Sequence, residues 1–192
     1  MAANLLSVAG LVGSHITVGN QSGRITDLVV RHGDEDTYPE IKGFVVRVGR
    51  RTLFAATGDI IGTSDRGSEL RTREDLDEFD RRVSDVLLAA EVLDRQIIDI
   101  DGVHVIRAAD LYLAVIGGVM RLVALEGSVR TLIRRLGPRR MRTRPAPQRA
   151  IDWSLIDRVS GGLQLSAPHS TLTRMRAGEL ASRVRELTGT TS

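Results

Sequence analysis

Leu11-Val12-Gly13-Ser14-His15-Ile16 returns 81 residues later as Val92-Leu93-Asp94-Arg95-Gln96-Ile97. Arg24-Ile25-Thr26-Asp27-Leu28-Val29-Val30 returns at an offset of 83 as Arg107-Ala108-Ala109-Asp110-Leu111-Tyr112-Leu113, and Gly19 returns as Gly102. Asp59-Ile60-Ile61, followed by Gly67 and Leu70, is similar to Leu155-Ile156-Asp157, followed by Gly162 and Leu165. Matched blocks in one order are the mark of a repeated structural unit. The chain is therefore expected to contain two similar halves, with Asp27 equivalent to Asp110 and Leu28 to Leu111.

The repeated blocks are β-like. Short alternating or β-branched runs, punctuated by Gly, Asn and Asp, occur at His15–Val18, Arg24–Val30, Ile41–Val48, Thr52–Ala56 and Glu69–Arg71. Such spacing predicts small barrels or a strongly bent sheet. One stretch has a different period. Leu76, Phe79, Val83, Val86, Leu87, Ala90 and Leu93 recur at helical spacing, behind Asp75, Asp77, Glu78 and Asp80. Periodicity predicts a helix over about 74–93, while Val86-Leu87-Leu88 reads equally as a buried strand.

Composition excludes several chemistries. With no Cys there is no disulfide, thiolate metal site or Cys nucleophile. His15, His32, His104 and His169 share no helical spacing, so a His-based zinc site is not expected. Three Phe, two Tyr and one Trp are too few for an extended base-stacking platform. Asp99-Ile100-Asp101-Gly102 opens like a calcium loop but lacks the closing Glu, and reads first as a hairpin turn. Asp34-Glu35-Asp36 and the acids from Glu74 to Asp80 read as solvated loops. No nucleophile elbow, Walker loop, dinucleotide fingerprint or zincin motif is present. The chain is expected to be non-enzymatic, with no cofactor and no tight metal site. Arg24/Asp27 and Arg107/Asp110 are expected to be ion pairs that tie a barrel corner.

Charge is divided unevenly. Residues 1–126 carry 14 basic and 20 acidic residues, whereas residues 127–192 carry 13 and 4. Between Gly127 and Ile151 stand eight Arg and no acid. Val129, Leu132, Ile133 and Leu136 make an apolar stripe at helical spacing, with Arg130, Arg134 and Arg135 beside it. Gly137-Pro138 stops that helix, and Arg139-Arg140-Met141-Arg142-Thr143-Arg144 leads into a stiff Pro-Ala-Pro linker. A basic amphipathic helix followed by a basic arm suits an anionic surface. Arg130, Arg134, Arg135, Arg139, Arg140, Arg142 and Arg144 are the candidate contacts. Val129, Leu132, Ile133 and Leu136 would face the membrane interior. The longest uncharged apolar stretch, Leu111–Met120, has ten residues, half of what a spanning helix needs. The apolar run Leu5–Val12 lacks a basic leader, so a signal peptide is not expected.

Gly19 with Arg24, Asp27 and Leu28, and again Gly102 with Arg107, Asp110 and Leu111, resembles the PRC-barrel domain. Ile151-Asp152-Trp153-Ser154-Leu155-Ile156 looks like that family's Pro-Trp-x-x-Val strand end, and Ala56-Thr57-Gly58 departs from it. Leu172 to Ala181 resembles the opening helix of the N-terminal domain of MgtE-type magnesium transporters. The resemblance implies a mostly β fold with minor α. It would comprise one PRC-like barrel over 1–90, a second over 91–170 with an Arg-rich insertion at 127–150, and a C-terminal helix within 171–192, at about Leu172 to Leu187. It also implies a cytoplasmic adaptor or regulatory module of divalent-metal transport, peripheral to the inner face of the membrane. Its partners would be a transporter or other membrane protein and an anionic lipid surface. The alternative is an RNA- or ribosome-binding module of the ribosome-maturation type.

Overall fold

The structure is a computed structural model. It describes residues 5–31, 37–63, 69–73, 75–98, 105–127, 150–159 and 162–165, with Glu179, Ser182, Arg183 and Glu186. The chain is mostly β, its main sheet curled into a half-barrel.

A two-residue strand β1 (Leu6–Ser7) runs into a one-turn helix α1 (Val8–Leu11). Strands β2 (His15–Val18) and β3 (Gln21–Arg31) follow. After them come β4 (Ile41–Val48), β5 (Arg51–Ala56), a 3-10 turn at Thr57–Asp59, and β6 (Ile60–Thr63). Strands β7 (Glu69–Thr72), β8 (Asp77–Glu78) and β9 (Asp85–Leu87) lead to a π-type turn at Leu88–Val92. The scheme then restarts with β10 (Gln96–Ile98), β11 (Val105–Arg107), β12 (Asp110–Ile116) and β13 (Val119–Glu126). It closes with β14 (Ile151–Asp152), a 3-10 turn at Trp153–Leu155, β15 (Ile156–Val159) and β16 (Gly162–Leu165).

The main sheet runs β6-β7-β2-β3-β4-β5-β8, with β9 also on β3. The other two sheets run β1-β12-β13-β14 and β11-β10-β16-β15. Laid end to end they repeat most of the main sheet, β11 and β12 together matching β3, with no described counterpart of β8. His15 faces Arg24 as Gln96 faces Arg107. Asp27 faces Val45 as Asp110 faces Glu126, and Leu28 faces Phe44 as Leu111 faces Leu125. Gly43 faces Ala56 as Ala124 faces Asp152. Each half also has one parallel pair, Ile16 beside Leu70 and Ile97 beside Leu163. That last register corrects one sequence match: Leu70 corresponds to Leu163, not Leu165. The alternation of Leu163-Gln164-Leu165 leaves the apolar face unchanged by a two-residue slip, so only the parallel partner decides.

The stretch read as a helix over 74–93 is not one. Asp77–Glu78 pairs with β5 and Asp85–Leu87 with β3, so both segments are strands. Val83 is fully exposed between them. The helical period there is fortuitous, because buried Leu76 precedes β8, Val86 lies in β9, and Leu88 and Val92 belong to the π-type turn.

Burial explains the composition of β3. Its first half alternates, with Gly23 and Ile25 inside and Arg24 and Thr26 outside. The register shifts between Ile25 and Asp27, and from Asp27 to Val30 every residue is buried. Beyond that bulge β3 also pairs with β9, and the π-type turn that follows β9 donates to Asp27. The main core is continuous, drawing Ile16, Leu28 and Phe44 together with Leu88, Ile97, Leu111 and Leu125. The Leu111–Met120 stretch is a strand hairpin. Its two-residue turn is Gly117-Gly118, with φ of 58° and 80°, the left-handed pair that a tight hairpin demands. Among the described residues no helix is long and apolar enough to cross a membrane. Of the expected C-terminal helix, the described Glu179, Ser182, Arg183 and Glu186 are helical, and the remainder lies outside the described residues.

Candidate functional site

The halves are joined by an exchange of short segments. Strand β1 leaves the first half to pair with β12, Leu6 opposite Leu113. Strand β9 pairs with β3, Val86 opposite Val30. The helical turn after each strand then docks on an aspartate of the opposite half. Asp110 Oδ1 accepts from the backbone N–H of Leu111 (2.7 Å) and of Ala9 in α1 (3.0 Å). Asp27 Oδ1 accepts from Leu28 (2.7 Å) and from Ala89 in the π-type turn (2.7 Å). These aspartates therefore satisfy the orphan donors of a helical turn. The expected pairs with Arg24 and Arg107 are not formed. Arg24 instead donates to the Gly13 carbonyl at 2.9 Å.

The second carboxylate oxygens differ. Asp27 Oδ2 takes the Ala90 N–H directly, at 3.0 Å. Asp110 Oδ2 accepts from the Ser7 hydroxyl at 2.6 Å, and that hydroxyl accepts from Gly10 N–H at 2.9 Å. Ser7 thus relays a bond that the other half makes in one step, where Leu87 holds the equivalent position. The turns differ by one residue: Val12 N–H returns to Val8 O, but Leu93 N–H returns to Leu88 O. One extra residue converts an α turn to a π turn, and the offset between the halves grows from 80 at Leu6/Val86 to 81 at Leu11/Val92. Burial raises the pKa of both aspartates above the ordinary 3.8, against the pull of their N–H partners.

The basic arm leaves the fold between β13 and β14. Arg130, Arg134, Arg135, Arg139, Arg140, Arg142, Arg144, Val129, Leu132, Ile133 and Leu136 lie outside the described residues. Its two roots are described. Glu126, the last residue of β13, is 2% exposed and accepts from the Tyr112 hydroxyl. Asp152, in β14, is 3% exposed. Asp152 accepts from Ser154 N–H (2.8 Å), from the Tyr38 hydroxyl (3.0 Å) and from Arg183 Nε (2.8 Å). Arg183 also donates to the Tyr38 hydroxyl at 3.4 Å, and Arg121 donates to the Tyr38 carbonyl at 2.8 Å. Burial pushes the Tyr38 phenol up, and the Tyr38 hydroxyl pushes the Arg183 guanidinium up. The C-terminal segment is thereby fastened where the arm re-enters the sheet.

Sequence reading missed this Tyr38–Asp152–Arg183 cluster, whose members are more than a hundred residues apart from first to last. It also missed an outer-face row of His15, Arg24 and Arg47, whose only sequence signal is the alternation within each strand. Asp34, Glu35, Asp36 and Asp99 to Gly102 lie outside the described residues. Among the described residues no group of three His, Asp or Glu is placed to hold a metal. Comparison with family models, curated proteins and solved structures finds no match for this chain.

Proposed function

We propose that this chain is a non-enzymatic module that binds an acidic membrane surface through its Arg-rich arm. In this reading it serves on the inner face of the membrane as an adaptor or regulatory partner of a divalent-metal transporter of the magnesium type. Its halves are read as PRC-like barrels and its tail as the start of an MgtE-type helix.

One observation carries the surface-binding part. In the first half, β4 and β5 are joined by the two residues Gly49 and Arg50, with Gly49 at φ 59°. In the second half the equivalent strands β13 and β14 keep the same register across the 24 residues from Gly127 to Ala150. Glu126 and Ala150 match Val45 and Phe54, which eight residues bridge, whereas 23 residues lie between Glu126 and Ala150, so most of the arm is surplus to the fold. Each Arg near an anionic leaflet adds about 1 kcal/mol, and the apolar stripe adds insertion that polynucleotide binding does not require.

Vesicles of phosphatidylglycerol and phosphatidylcholine are expected to bind the chain, less so at high salt, and neutral vesicles are not. Replacing residues 127–149 by Gly-Asn should abolish binding and leave the circular dichroism of the sheets intact. Charge reversal at Arg134, Arg135, Arg139 and Arg140 should do the same, and Leu132→Ser with Ile133→Ser should weaken binding. A chain that ignores acidic vesicles but holds structured RNA at physiological salt would overturn this reading in favour of the ribosome-maturation type.

A further inference from the structure

The outer face of the first half carries a second cationic feature, unrelated to the arm. His15, Arg24 and Arg47 are exposed and stand in one row across β2, β3 and β4, as successive Cα partners. Direct antiparallel partners place their side chains on the same face, about 5 Å apart at Cβ. Like charges so placed destabilise a sheet. Among the described residues no ion pair offsets the repulsion between Arg24 and Arg47. Among the described residues the Arg47 guanidinium has no hydrogen-bond or ion-pair partner, and the Arg24 guanidinium donates to the Gly13 carbonyl. A guanidinium has five N–H donors, so most of this capacity is open to solvent.

Among the described residues the neighbouring acids are committed elsewhere or stand at the edge. Both oxygens of Asp27, one row along, are taken by backbone N–H groups. Glu78, on β8, pairs with Arg51. Glu69 holds the register position beyond His15 on β7, at the end of the row away from Arg47. Exposed Arg71, partner of Thr17, lies two residues along β7 from it, and Arg50 is exposed at the β4–β5 turn.

A carboxylate is satisfied by one guanidinium fork. A tetrahedral phosphate, with more oxygens and up to two charges, can engage two forks at once. We propose that the outer face of β2–β3–β4 holds a phosphate group between Arg24 and Arg47, with His15 at its edge. The phosphate belongs to a free phosphate ester or to a lipid headgroup. The site stands on the sheet geometry alone, so it and the arm fail independently.

The test uses the full chain and follows the His15 imidazole and the arginine Nε–H resonances by NMR, at constant ionic strength. Inorganic pyrophosphate should shift His15 saturably, whereas chloride should not. Arg47→Gln should weaken this binding by about tenfold or more, and Arg47→Lys, which keeps charge but loses the fork, should fall between. Both changes are at an exposed position, and replacing the arm by Gly-Asn should leave the shift intact. If vesicles containing phosphatidic acid compete with pyrophosphate for His15, the phosphate is a headgroup's. If pyrophosphate binds and such vesicles do not compete, it is a free ester's. No saturable shift, an equal shift with chloride, or a shift indifferent to Arg47→Gln would overturn the proposal.

Discussion

Asp27 and Asp110 occupy the same place in the two halves, yet they should respond differently to the same substitution. In Asp110→Asn the retained oxygen keeps the Ala9 and Leu111 donors. The new amide then meets the Ser7 hydroxyl, which has a lone pair to offer. In Asp27→Asn the amide meets the Ala90 N–H head-on, donor against donor. Loss of a buried bond with an unsatisfied donor costs about 1–3 kcal/mol, so Asp27→Asn should lose that much in urea denaturation and Asp110→Asn markedly less. Equal losses would refute the Ser7 relay. The pH dependence follows from desolvation, which raises both carboxyl groups above 3.8. A group raised on folding contributes stability that is complete below its unfolded value and is lost as pH rises through the folded one. Asp110→Asn carries no such charge. Its stability relative to the parent should therefore improve from pH 4 to pH 7, measured by urea midpoints.

Glycines at the element scale show where backbone geometry, not side-chain chemistry, sets the sequence. Gly43 lies in β4 where a Cβ would come within 2.4 Å of the Ala55 carbonyl and 2.6 Å of the Phe54 ring. Gly58, in the 3-10 turn, has open space around it and an ordinary φ. Gly43→Ala should lower the melting temperature by several degrees, because a 1 kcal/mol loss moves a chain of this size by roughly 2–4 °C. Gly58→Ala should move it little. Gly13 and Asp94 are another instructive pair. Both have positive φ, 81° and 64°, and both donate N–H to the equivalent carbonyls of Ile25 and Ala108. The left-handed bend is needed in both halves, and Asp is among the few side chains that tolerate it.

At the scale of the molecule, exchange of β1 and β9 makes each half depend on the other, and the core runs through both. Thermal unfolding followed by circular dichroism and by Trp153 fluorescence should give one coincident transition; two separated transitions would show halves that fold independently. Much of this was legible in the chain. Strands such as Ile41–Val48 were readable because period-2 patterning is local, and the Asp27/Asp110 and Leu28/Leu111 equivalences because their blocks share a spelling. The charge asymmetry and the basic arm were equally plain. What those aspartates do was not legible. Arg24 and Asp27, three apart in sequence, suggest an ion pair, but Arg24 donates to the Gly13 carbonyl, and the donors that Asp27 serves from the opposite half are 62 and 63 residues away. The strand at Asp85–Leu87 was hidden because its partner β3 is remote, and a short apolar run carries no record of which edge it will meet. Sequence alone determined which residues alternate, repeat and carry charge. Only tertiary structure decided which half each short segment joined, since that choice rests on buried N–H groups finding acceptors across the chain.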